Sequence, residues 1–250
     1  MTNLLDLFKQ GRNEEIWAKC CGFLDLNVAE FMEIQEHLLL EQISLLGKSM
    51  MGRMLMGDII PTSIEEFREV VPYTTYKDYL GYIDEKREDV LPRKPHVWAH
   101  TSGRSGEYKF KWVPITKQMY DTFAELVIGS MIFSNCTQRG EINLELNDKV
   151  LLATAPPPLI TGFFVNSISD SIDLQFLPPI ETSHEVDFQE RIALGFDLAM
   201  KKGLDYFYGI SSILVRVGER FEDGSGSTKI SLDLLRPGLL YRLIKGLIIS

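Results

Sequence analysis

Residues 97–116 read VWAHTSGRSGEYKFKWVPIT, a turn rich in Ser, Thr and Gly between two apolar runs. The runs Val97–Ala99 and Phe110–Val113 are typical of strands, so the stretch predicts a strand–loop–strand unit. Gly103 and Gly106 allow a positive φ and let a ligand approach the backbone closely. Successive backbone N–H groups in such a turn form a concavity that binds anions. The backbone of this stretch therefore favours a phosphate-binding loop.

Side chains of the same turn add to this prediction. The hydroxyls of Thr101, Ser102 and Ser105 supply donors, and Lys109 supplies a cation for a phosphate. The spacing is neither that of a Walker A loop nor that of a Rossmann fingerprint. A polar surface hairpin is the alternative interpretation, because Gly/Ser-rich turns between strands are common.

The turn resembles the phosphate-binding signature of the acyl-adenylate-forming enzymes, roughly (S/T)(S/T)G(S/T)(S/T)GxPK. The matching positions are Thr101, Ser102, Gly103, Ser105, Gly106 and Lys109. Two positions depart from it. Arg104 stands where a small hydroxyl residue is usual, and either adds a cation to a triphosphate site or marks a degraded loop. Tyr108 stands where proline or a small apolar residue is usual. The resemblance implies that the matching residues, with Arg104, bind the phosphates of ATP.

Segments on both sides of the turn extend the resemblance. IEEFREVVPYTTYKDY at residues 64–79, VPIT at residues 113–116 and YGISSIL at residues 208–214 are similar to the auxin-responsive promoter family of acyl-amido synthetases, including its bacterial members. The resemblance covers most of residues 60–215. It implies ATP-dependent activation of a carboxylic acid as its acyl-adenylate, with Mg²⁺ accompanying ATP, and transfer of the acyl group to an amine or a thiol. It assigns no catalytic residue and no metal ligand here.

Composition and charge exclude several classes of protein. The 250 residues are 45% hydrophobic, which is enough for one large core or two smaller ones. A formal net charge of −9 argues against a nucleic-acid binder. Basic residues between Arg93 and Lys111 nevertheless predict a local positive cluster around the turn. No apolar run is long enough for a membrane span and no secretory leader is visible, so we expect a cytoplasmic protein.

Few side chains outside the turn are candidates for chemistry. Cys20, Cys21 and Cys136 fit a reducing compartment and have no zinc-site spacing. His100 immediately precedes the turn. It either donates to a phosphate or orients Thr101, or it is simply a histidine at a strand end.

The order of elements predicts an α/β fold, in which a helical N-terminal region is followed by a mostly parallel sheet with flanking helices, as in the N-terminal domain of acyl-adenylate formers. Helices are predicted over residues 4–21 and 27–56. Thr116 is a predicted N-cap for a helix with Met119, Phe123, Leu126, Val127 and Ser130 on one face. Strands are predicted at residues 149–153, 174–177 and 206–208, and a helix between the last two at residues 187–202.

The predicted organisation has three parts: a mainly helical region over residues 1–90, an α/β core over 91–222, and a linker with a C-terminal helix over 223–250. The aromatic-Gly-x-Thr-Glu segment and the mobile C-terminal domain of the acyl-adenylate formers do not follow. We therefore expect the N-terminal portion of a longer or split enzyme, whose partner is its C-terminal remainder or a second copy.

Three functions remain open at this point. The first is activation of a carboxylic acid, with this chain supplying the phosphate loop. The second is a catalytically incomplete fragment that acts as a binding or assembly module and needs a partner chain. The third is an α/β domain without a nucleotide site. The stretches Pro156–Phe164 and Tyr206–Tyr208 either line an apolar acyl pocket or belong to the core.

Overall fold

A computed structural model describes residues 3–103, 109–215 and 218–219. It is an α/β structure in which N-terminal helices precede a small parallel sheet flanked by helices, as predicted. The chain divides into two compact units: residues 1–145 with 157–172, and residues 146–156 with 173–250. The predicted linker and C-terminal helix at 223–250 lie outside the described residues.

Six helices open the first unit. They are α1 (Leu4–Lys9), α2 (Asn13–Cys20), α3 (Val28–Gly47), α4 (Met50–Met56), α5 (Ile64–Val70) and α6 (Tyr76–Ile83), with 3₁₀ turns at Gly22–Asp25 and Glu88–Val90. The predictions of continuous helices over 4–21 and 27–56 are wrong, since each is broken. The first breaks at Gly11, which has a φ of +63°. The second breaks at Ser49, whose hydroxyl accepts the Gly52 N–H at 3.0 Å and starts α4.

The helix starts near the middle of the chain follow local capping signals. Ser63 caps α5 by accepting the Glu66 N–H at 3.1 Å. The Glu66 carboxylate reaches one residue further back than a capping box requires and accepts the N–H and hydroxyl of Thr62. At α6, the N–H and hydroxyl of Thr75 both donate to the Asp78 carboxylate.

A two-stranded antiparallel hairpin follows, formed by β1 (Val97–His100) and β2 (Trp112–Ile115), with His100 opposite Trp112. After it come α7 (Lys117–Asn135), capped by the predicted Thr116, and α8 (Ile160–Ser169). The core that joins them contains Ala99, Ile115, Tyr120 and Phe123, with Phe163 and Phe164 packed against it.

The predicted buried face of α7 is partly wrong. Phe123 and Val127 are buried as expected, but Met119 and Leu126 are 41% and 54% exposed. The buried stripe instead passes through Tyr120, Ala124 and Ile128, because this helix is apolar over most of its surface and the spacing alone allows several faces.

The second unit contains a three-stranded parallel sheet. Its strands are β3 (Lys149–Ala153), β4 (Gln175–Leu177) and β5 (Tyr206–Gly209), in the order β4-β3-β5. Helices α9 (Ile180–Glu185) and α10 (Phe188–Lys202) connect β4 to β5. Asp187 caps α10, and the apolar side of α10 packs on β3 and β4 through Ala199. Within the described part of the chain, no helix is both long and apolar enough to cross a membrane.

Candidate functional site

The predicted phosphate loop leaves β1 at Thr101 and returns to β2 at Lys111. Its two ends are joined by a pair of hydrogen bonds. The Thr101 N–H donates to the Lys111 carbonyl at 3.0 Å, and the Lys111 N–H donates to Thr101 Oγ1 at 3.1 Å. The Thr101 hydroxyl is therefore an acceptor that closes the base of the loop, while its own hydrogen remains for donation. Of the other predicted residues, Arg104, Ser105 and Gly106 lie outside the described residues.

Gly103 is the point at which the two ends of the loop approach most closely. Its φ is +68°, a conformation that side-chain-bearing residues rarely adopt. A Cβ at this position would lie 2.5 Å from the carbonyl carbon of Lys109 and closer still to its oxygen. The backbone conformation and the lack of room for a Cβ therefore both require glycine at position 103. The positive φ is the conformation that the sequence predicted for this residue.

Ser102 and Lys109 are exposed on either side of this narrow base. A hydroxyl and an ammonium group at the two ends of a glycine turn suit the binding of an anion from solvent. Ser102 and Lys109 are therefore accessible to solvent, and their binding of a phosphate stays a prediction.

His100 lies in an aromatic cluster beneath the loop. Its ring stacks on Phe110, with centroids 4.6 Å apart, and meets Trp112 edge-on at 5.3 Å. Its Nδ1 lies 2.9 Å from the Thr101 carbonyl oxygen, which favours the Nδ1–H tautomer as donor. Of the predicted alternatives, this geometry matches a histidine that orients Thr101 at the end of a strand.

A third segment runs beside β1 at the start of the loop. The His100 N–H donates to the Pro158 carbonyl at 2.9 Å, and His100 pairs with Leu159 in a parallel bridge. Helix α8 begins directly after this bridge and has no acidic residue in its first turn. The partial positive charge of a helix N-terminus thus lies near the end of β1 from which the loop starts.

The predicted local positive cluster is only partly formed. Lys109 and Lys111 lie at the loop, but Arg93 and Lys94 precede β1 at the opposite end of the hairpin. Arg93 contacts Glu41 and Gln118, and Lys94 pairs with Glu88 at 3.5 Å. Closeness in sequence was misleading because β1 separates the two groups along the hairpin.

The aromatic stretches considered for an acyl pocket contribute to the cores of their units. Phe164 meets Phe123 edge-on at a centroid distance of 4.2 Å. Phe207 packs in the core of the sheet, and burial raises the pKa of the neighbouring Tyr208. Among the residues that the structure describes, no three or more His, Cys, Asp or Glu side chains gather as they would around a metal ion.

Sequence reasoning missed one residue at the loop, Tyr76, the first residue of α6. Its hydroxyl accepts the Trp112 N–H at 3.0 Å and donates to Asp84 Oδ1 at 3.1 Å. Lys86 Nζ lies 3.6 Å above the Trp112 ring. The only signal in the sequence was the family-like phrase at residues 64–79, which contains Tyr76.

Comparison with protein families places most of the chain in a known family. A family model described as the N-terminal domain of the GH3 family matches residues 22–192. The matched range includes the hairpin, both ends of the loop and the segment at residues 64–79. No curated protein and no solved structure matched the chain.

Proposed function

The chain belongs to the GH3 family, the auxin-responsive family of acyl-adenylate-forming acyl-amido synthetases, and we propose that it binds the phosphates of ATP during activation of a carboxylic acid. The ligands in this proposal are the predicted loop residues Thr101, Ser102, Gly103, Arg104, Ser105, Gly106 and Lys109. The observation that carries the proposal is the Gly103 turn, closed against Lys109 at a point where only glycine fits.

In this proposal, the loop stabilises the negative charge that develops on pyrophosphate. The carboxylate oxygen of the acid attacks the α-phosphorus of ATP, and the bond from that phosphorus to the oxygen that bridges the α- and β-phosphates breaks, so that this oxygen leaves with pyrophosphate. The departing pyrophosphate carries the negative charge. In this proposal, backbone N–H groups of the loop, the Ser102 hydroxyl and the Lys109 ammonium are the donors that stabilise this charge. Mg²⁺ accompanies ATP and would neutralise part of the same charge; we assign no carboxylate of this chain to it.

The acyl-adenylate then transfers its acyl group to an amine or a thiol, with AMP as the leaving group. The family favours an amine acceptor. All three cysteines are free thiols, which is consistent with a reducing, cytoplasmic location for this reaction.

The second candidate function is the predicted catalytically incomplete binding or assembly module. In it, the chain holds the phosphates but completes no reaction until the remaining parts of the active site dock, supplied by a C-terminal remainder, a separate chain or a second copy. The chain alone is then a binding module.

The first test is a titration with inorganic pyrophosphate of the wild type and of Lys109→Ala. Removal of a charged hydrogen bond is expected to weaken binding by about 1–3 kcal/mol, or roughly 5- to 150-fold. Lys117→Ala is the matched control, since it removes the same charge just after the far end of β2, where Lys117 pairs with Asp121. Equal affinity for wild type and Lys109→Ala would sink the assignment of Lys109.

ATP–pyrophosphate exchange with Mg²⁺ and a pool of aliphatic and aromatic acids separates the two candidates. Acid-dependent exchange supports the enzyme and identifies the substrate class once the pool is divided. Absence of exchange, with pyrophosphate binding that depends on Lys109, supports the binding module. A wild type that binds neither pyrophosphate nor ATP refutes both.

A further inference from the structure

We propose that Tyr76 is a positioning residue for the phosphate loop, whose hydroxyl fixes the strand that carries the loop's return. This inference rests on the proposed function and extends it to a residue 25 positions before Thr101.

The pairing of the hairpin shows why the Trp112 N–H needs a partner outside the sheet. Thr101 bonds to Lys111, so alternate residues of β2 direct their backbone groups towards β1. Trp112 and Pro114 lie between these residues, so their backbone groups point away from β1. Pro114 has no N–H, and the Trp112 N–H is accepted by Tyr76.

Tyr76 is itself held in place at both ends. Its ring packs with the cluster that contains Met51, Ile83 and Val90, and its hydroxyl donates to Asp84. The carboxylate partner makes that bond charge-assisted and orients the oxygen lone pairs towards Trp112. The acceptor is therefore fixed before any ligand arrives.

The position of Trp112 bears on the loop through its neighbour. Lys111 precedes Trp112 and forms both hydrogen bonds that close the loop base on Thr101. Two residues further back, the Lys109 carbonyl lies against Gly103. The hydrogen bond to Tyr76 fixes the Trp112 backbone and so holds β2 in one register. The loop therefore loses less conformational entropy when a phosphate binds.

The test compares Tyr76→Phe with Tyr79→Phe, two hydroxyl deletions in the same helix. The Tyr79 hydroxyl contacts the Thr74 hydroxyl and not β2, while its ring belongs to the same apolar cluster as that of Tyr76. Inorganic pyrophosphate is the ligand, and amide hydrogen exchange of Trp112 reports the hydrogen bond directly. Urea midpoints of both variants separate loop effects from loss of overall stability.

We expect Tyr76→Phe to weaken pyrophosphate binding about tenfold and to speed Trp112 exchange about tenfold, the scale set by one lost hydrogen bond to a half-buried donor. Tyr79→Phe should change neither quantity. Asp84→Asn keeps the Tyr76 hydroxyl but removes its charged partner, so it should change both quantities less and in the same direction. It replaces Tyr76→Phe as the test variant if that variant does not fold.

Two results overturn the inference in distinguishable ways. If the wild type binds pyrophosphate and Tyr76→Phe binds it equally well, the positioning role is wrong and the proposed function stands. If the wild type does not bind pyrophosphate, the proposed function fails and this role fails with it, even where Trp112 exchange confirms the hydrogen bond.

Discussion

Gly103→Ala tests the geometry of the loop most directly. The left-handed backbone at Gly103, with a φ of +68°, costs alanine about 1–2 kcal/mol. The added Cβ would also overlap the Lys109 carbonyl, which is backbone and cannot rotate away as a flexible side chain could. The variant must therefore either bear both penalties or move the two ends of the loop apart.

Of these two routes, the one that costs less free energy determines the loss of stability. Opening the base breaks the two hydrogen bonds between Thr101 and Lys111, at about 1 kcal/mol each, and also releases the strain at position 103. We therefore expect Gly103→Ala to lower the free energy of unfolding by about 2 kcal/mol. Because the open base no longer holds Lys109 against Gly103, pyrophosphate affinity should fall more than about tenfold.

Urea unfolding followed by circular dichroism measures the stability, and calorimetric titration measures the affinity. Gly11→Ala is the matched control, because Gly11 has a φ of +63° and nothing within 4 Å of an added Cβ. It should show the backbone strain alone, about 1 kcal/mol, with unchanged affinity. Gly103→Ala that destabilises no more than Gly11→Ala and still binds pyrophosphate normally would refute the closed-base geometry.

Three further outcomes are expected away from the loop. Gly129→Ala should lower the free energy of unfolding, measured in urea, by about 1–3 kcal/mol, because the added Cβ would lie 3.1 Å from the Cys20 carbonyl carbon and closer to its oxygen. Gly81→Ala is the control, since an added Cβ at this helical position has nothing within 4 Å. Equal urea midpoints for the two variants would contradict the packing of α2 on α7. Burial raises the pKa of Cys20 to about 12 and that of Cys21 as well, so Ellman's reagent at about pH 8 should titrate Cys136 first in the folded chain and all three thiols in urea. Rapid reaction of all three thiols without urea would show that Cys20 is not buried. Because the pKa of Cys20 in the folded chain lies above its ordinary value of 9.0, the free energy of unfolding should also fall as the pH rises from about 9 to about 12.

Features set by neighbours in sequence could be predicted. Thr116 caps the helix that it was expected to cap, and the strands predicted at 149–153 and 206–208 lie within one or two residues of their observed bounds. Hydroxyl caps and runs of β-branched or aromatic residues act over a few positions, so the sequence contains their cause.

Features set by residues far apart could not be predicted. The Tyr76–Trp112 hydrogen bond joins positions 36 residues apart, and the close approach of Gly129 to Cys20 depends on how α2 packs on α7. The Thr101 hydroxyl was predicted to supply a donor, but the sequence did not show that its oxygen also accepts the Lys111 N–H. Periodicity carries no information on such contacts, because it reports which face of an element is buried and not what buries it.

The outward side of β2 has a consequence for behaviour at high concentration. An exposed edge strand with unpaired N–H groups is a template for strand addition from another molecule, and so for aggregation. On β2 the two outward positions offer no such template, because Pro114 lacks an N–H and the Trp112 N–H is already bonded to Tyr76. The hydroxyl that holds the loop therefore also protects the hairpin from intermolecular β-pairing.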